Sequence, residues 1–177
     1  MDFMSLVRQR ESCRNFSEKI PTHQELENLI EAARLSPSAC NSQPWSFVVV
    51  TGVKAKEVAK CTQSLSMNKF TENCPSFILV CEEKATLMAK LGGVVKDQQY
   101  APIDIGLATA HICYQATAQG MGTCILGWFD EKKVIETLSL PKNKRIRLII
   151  AAGFAKDDHL RQKKRKNLEE IVTYISD

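Results

Sequence analysis

Arg10, Ser12 and Arg14 occupy alternate positions, so an extended backbone would turn two guanidiniums and a hydroxyl to one side. That set suits a phosphate monoester, whose oxygens accept several hydrogen bonds and whose charge an arginine fork can grip bidentately. The same three residues also describe a solvated basic strand. A denser group follows at Ser36-Pro37-Ser38-Ala39-Cys40-Asn41-Ser42-Gln43-Pro44-Trp45. Two prolines bracket short hydrogen-bonding side chains, and an aromatic closes the loop. Ser38, Asn41 and Gln43 could match a planar ligand that alternates N–H and C=O groups. The alternative is a turn held by its own Asx hydrogen bonds.

The elements around these residues must hold them in place. Residues 2–10 read as a short helix, with Phe3, Leu6 and Val7 on one face. Thr22-His23-Gln24-Glu25 is a capping box that launches a helix carrying Leu26, Leu29, Ile30 and Ala33 at core spacing. Pro37 forces Ser36 out of the helical region and stops it there. Strands are predicted at 45–51, 76–81, 123–126 and 147–154, and helices at 54–61 and 131–138. Residues 82–102 are mixed, with Gly92, Gly93 and Pro102 as punctuation, and are expected to form a mobile helix or lid. Residues 104–119 are apolar nearly all round, the pattern of a helix buried against the sheet or a second subunit. The tail at 167–175 has an amphipathic pattern suited to a partner.

The chain has 177 residues, 44% of them apolar and 25% charged, which is enough to build a core. Its length predicts one α+β domain over residues 1–177. Net charge is +4, concentrated at 142–147 and 161–166, a basic face or anion site rather than a nucleic-acid surface. Seven cysteines, an odd number without a Cys-x-x-Cys pair, fit reduced thiols and no zinc site. No signal peptide or membrane-length apolar run is evident, and a cytoplasmic protein is expected.

The full Ser36–Trp45 string resembles the Ser-Pro-Ser-x-x-Asn-x-Gln-Pro-Trp signature of the nitroreductase family. The resemblance continues through Asp104-Ile105-Gly106-Leu107-Ala108, Gly120-Met121-Gly122-Thr123-Cys124 and Leu126-Gly127-Trp128-Phe129. It ends at Arg165-Lys166-Asn167-Leu168-Glu169-Glu170, with Asn167 where the family usually has proline. This likeness implies a mostly antiparallel sheet flanked by helices. It also implies a homodimer with a long buried interface helix, an exchanged C-terminal arm and two FMN molecules at the subunit interface. Arg10 and Ser12, with Lys163 or Arg165, would hold the FMN phosphate. Arg14 would lie near flavin N1 and O2. Pro37, Ser38, Ala39 and Asn41 would line the flavin, and Leu126 and Gly127 would bring backbone N–H groups toward N5 and O4. Asn68 is the candidate amide for the pyrimidine edge, with Asn73 as its competitor. Larger relatives often have a lysine where this chain has Thr71, so Lys69 is an alternative source of charge.

None of the three histidines pairs with a nucleophile and a carboxylate, which suits chemistry carried by a cofactor. The resemblance implies an FMN-dependent oxidoreductase. It would pass hydride from NADH or NADPH through flavin N5 to an electron-poor acceptor such as a nitroaromatic or quinone. No Gly-x-Gly-x-x-Gly follows a strand, so the nucleotide would be transient. Specialised dehalogenase-like or flavin-destroying activity, and flavin storage without turnover, are the alternatives. Cys13, between Ser12 and Arg14, is either an inert thiol or one activated by neighbouring positive charge.

Overall fold

The computed structural model describes residues 2–157 and 160–176; His159 lies outside the described residues. Its centre is a four-stranded antiparallel sheet built from β1 (Trp45–Thr51), β2 (Ser76–Glu82), β3 (Gly122–Leu126) and β4 (Arg145–Gly153), in the order β1-β2-β4-β3. β2 is apolar from Phe77 to Cys81 because helices cover both of its faces. Phe77, Leu79 and Cys81 point into one core, and Ile78 and Val80 into the other. This is the period of two expected when both sides of a central strand are dry.

Helices α2 (His23–Arg34) and α5 (Tyr100–Ala118) pack on the Ile78 face, and α3 (Gly52–Thr62) and α6 (Glu131–Thr137) on the other. α1 (Phe3–Gln9) lies against the far part of α5, with Phe3 and Tyr114 rings 5.4 Å apart. α4 (Leu87–Lys96) stands over the start of α5. The capping box forms as expected: Thr22 Oγ1 accepts from Glu25 N, and the Glu25 carboxylate accepts from Thr22 N. No helix among the described residues is long and apolar enough to cross a membrane.

One local expectation changes. α5 starts at Tyr100 rather than Asp104, with Pro102 inside it. A proline in the first helical turn gives up only an N–H that has no helical partner, so it need not mark a boundary. The 82–102 segment contains a regular ten-residue helix. The 167–175 tail forms a single 3-10 turn, Leu168–Glu170, and leaves Leu168, Ile171 and Ile175 exposed.

Candidate active site

The 11–14 segment seals the outer edge of β3. Ser12 bridges Thr123 in parallel register, and Cys13 N donates to Thr123 O at 2.8 Å. This extended geometry turns Cys13 inward, where it is buried, and leaves Ser12 and Arg14 on the opposite side. Gly122 makes the seal possible. A Cβ there would stand 2.7 Å from Cys13 Cβ and 2.9 Å from its sulfur. Burial pushes the Cys13 thiol above its usual pKa, which favours the inert alternative. Desolvation outweighs the nearby Arg161 guanidinium.

Arg10 caps the C-terminus of α1, and Lys163 reaches back to the same turn, donating to the Val7 and Arg8 carbonyls. Partial desolvation, then the charges of Arg10 and Arg165, hold the Lys163 ammonium below the ordinary lysine value. Three cations therefore crowd one corner. Arg10 makes no side-chain hydrogen bond or ion pair to any described residue, and Arg165 bonds only the Lys164 carbonyl. Crowded, unmatched cations are unfavourable without an anion, so this donor set fits a phosphate.

At the other end of β3 lies a second cluster. Asn68, in the left-handed region at φ 51°, donates Nδ2 to Thr62 O at 3.2 Å and to Trp128 O at 3.1 Å. Trp128 Nε1 donates to Ser64 Oγ at 3.0 Å. Between them Leu126 is buried and Gly127 is exposed, with nothing within 4 Å of where its Cβ would be. The Arg14 guanidinium stands 5.9 Å over the Phe70 ring. Arg10, Ser12, Arg14, Asn68, Leu126 and Gly127 thus share one edge, about 16 Å long from Gly122 to Gly127 at strand rise. Asn73 lies elsewhere, in a groove with Val53 and Pro75. Thr71 is buried and bonded to Thr62 Oγ1 at 2.9 Å, a structural residue where larger relatives carry charge.

The Pro37–Asn41 loop is not on that edge. Its Ala39 N donates to both carboxylate oxygens of buried Asp104, at 3.1 and 3.2 Å. Ser38 Oγ accepts from Gln43 N, and Asn41 Oδ1 from Gln43 Nε2. Cys40, Asn41 and Gln43 all adopt positive φ, so the loop has a fixed, partly self-bonded shape. The Ser38 loop sits at the Asp104 end of α5, whereas the Gly122 end of β3 sits beside Thr117. Thirteen helical residues separate these points by about 20 Å. One chain therefore holds the two groups at opposite ends of one helix.

Asp104 was not legible as a loop anchor, although an acid in an apolar helical run was the available signal. Asp104→Ala should leave the Ala39 amide unsatisfied and cost about 1–3 kcal/mol. Thermal melts would show it, and Asp104→Asn, which keeps an acceptor, should lose less.

The sequence model described as "Nitroreductase family" matches residues 7–66 and 54–154. The chain belongs to the nitroreductase family. Among curated family members, the oxygen-insensitive NADPH nitroreductase of Helicobacter acinonychis is 27% identical, with 96% of this chain and 95% of that protein aligned. A nitroreductase family structure from Streptococcus pneumoniae superposes with a TM-score of 0.82 at 25% identity, covering 98% of this chain and all of that one. A structure from Exiguobacterium sibiricum, solved in complex with FMN, has a TM-score of 0.80 at 21% identity and covers 98% of this chain and 97% of its own. The nitroreductase fold and its antiparallel sheet are as the motifs implied.

Proposed function

We propose that this protein is an FMN-dependent NAD(P)H oxidoreductase acting on electron-poor acceptors such as nitroaromatics or quinones. The observation that carries the reading is the β3 edge. It has uncompensated cations at one end and an open backbone shelf at Gly127 at the other. Arg10, Ser12, Lys163 and Arg165 would hold the phosphate. Arg14 would supply positive charge near the pyrimidine end of the ring. With no side chain on Gly127, a ring edge can approach the backbone N–H. Fixed donors of this kind need no reorganisation during turnover. When bound, flavin would supply the redox chemistry between the nicotinamide and the acceptor. The protein's part is to bind, orient and exclude water.

The other half of the site would come from a second copy. Ile103, Gly106, Leu107, Ala110, His111 and Tyr114 recur at helical spacing on the side of α5 away from the sheet, and Ile103 and Leu107 are exposed. Pairing this stripe with its copy in antiparallel fashion would carry the Ser38 loop of one chain toward the Gly127 edge of the other. His111 Nδ1 is within 2.9 Å of the Leu107 carbonyl, which fits an interface residue rather than a base.

The test is to purify the protein, measure its mass in solution and record its visible spectrum. NADH and NADPH are then added anaerobically. A dimer whose flavin bands bleach, and recover with a nitroaromatic or quinone, is the expected result. Bands that persist would instead favour flavin storage or a specialised activity. A protein that takes up no FMN would sink the proposal.

A further inference from the structure

Arg161 was assigned no role by the motifs, yet it makes a long-range polar link beside the site. Its backbone N and Nε donate to Glu11 Oε2 at 3.2 and 3.3 Å, and Nη2 donates to the Ser12 carbonyl at 2.5 Å. The residues lie 150 and 149 positions apart in the chain. Glu11 and Ser12 sit between Arg10 and Arg14, while Arg161 sits two residues before Lys163 and four before Arg165. The link therefore ties the two strands of sequence that carry the cations.

We propose that Arg161 and Glu11 form a latch that positions the two halves of the phosphate grip, so that affinity for a phosphorylated flavin depends on it. Three features support this role over an incidental surface pair. The negative charge of Glu11 acts on Lys163 against the neighbouring cations and partly offsets the repulsion there. Arg161 bonds a backbone carbonyl on the same strand, so its loss would free both the acid and the main chain. Salt bridges at such exposure contribute little by themselves, and the Arg161 side chain is half exposed. The latch should therefore act through geometry, on what the neighbouring cations can reach, rather than through bulk stability. Arg161 is a positioning residue: it fixes Ser12 and Lys163 and does not itself need to touch the ligand.

The inference rests on the proposed FMN site, and the experiment separates the two. Binding of FMN and of riboflavin, which lacks the phosphate, is titrated by flavin fluorescence with wild type, Arg161→Ala, Arg161→Lys and Glu11→Gln. FMN affinity should fall roughly ten-fold in Arg161→Ala, equivalent to about 1.4 kcal/mol, with riboflavin affinity unchanged. Arg161→Lys, which can still pair with Glu11, should recover part of the loss. Glu11→Gln should weaken FMN binding in wild type and add little in Arg161→Ala, since both break one latch. Equal losses for FMN and riboflavin would mean a general structural tether and would overturn the latch. So would unchanged FMN affinity in both single variants while wild type binds FMN. Wild type that binds no FMN overturns the site itself, and the latch with it.

Discussion

Replacing Gly122 with alanine should destabilise the protein and weaken flavin binding in one step. The added Cβ would meet Cys13 Cβ at 2.7 Å and its sulfur at 2.9 Å. Cys13 cannot retreat freely, because its amide is bonded to Thr123 O and its side chain is buried. Overpacking at such a point costs about 1–3 kcal/mol. Any relief must come from moving the 11–14 segment off β3, and that segment carries Ser12 and Arg14. Thermal melts and FMN titration should therefore shift together. Adding Cys13→Gly would remove both clashing atoms and should restore part of each, a non-additive pair. A Gly122→Ala protein that melts and binds like wild type would show that the seal is looser than this packing implies.

Arg10→Ala should move affinity and stability in opposite directions. Its guanidinium has no partner among the described residues and stands near Lys163 and Arg165. Without flavin, removing it relieves like-charge repulsion, so the melting temperature should hold or rise slightly. With FMN, it removes a charged hydrogen-bond donor to phosphate, which costs about 1.5–3 kcal/mol, or roughly 10- to 100-fold in affinity. Riboflavin should bind both proteins alike. Arg10→Lys, which keeps charge but loses the fork, should fall between. A large loss of stability in Arg10→Ala would instead mark the residue as structural.

Local signals in the sequence translated well into structure. The Thr22–Glu25 box needs only four residues to declare a helix start, and the five apolar residues Phe77 to Cys81 suffice to declare a buried strand. The alternation of Ser12 and Arg14 about buried Cys13 was legible for the same reason, since it depends only on extended backbone. What failed depended on distant partners. Pro102 looked like a boundary because its place in the first turn of α5 is set by packing against α4 and α2. The tail pattern named no partner, and no described residue covers its apolar side chains. Asn68 and Asn73 could not be separated by spacing; the left-handed turn at Asn68 and its bond to Trp128 distinguish them. Glu11 and Arg161 carried no signal, because no motif joins residues so far apart.

That separation also shapes how the molecule is made. Segment 11–17 is made more than 100 residues before its partners at Thr123, Phe154, Ala155 and Arg161. Contacts this distant in sequence slow folding, because the loop must close before they can stabilise it. Until then β3 has no covered edge, and Cys13 and Phe16 remain outside the core. A nascent chain stopped short of residue 161 would lack the link between Glu11 and Arg161 however well its helices had formed. On the proposed site, flavin capture must wait for that closure.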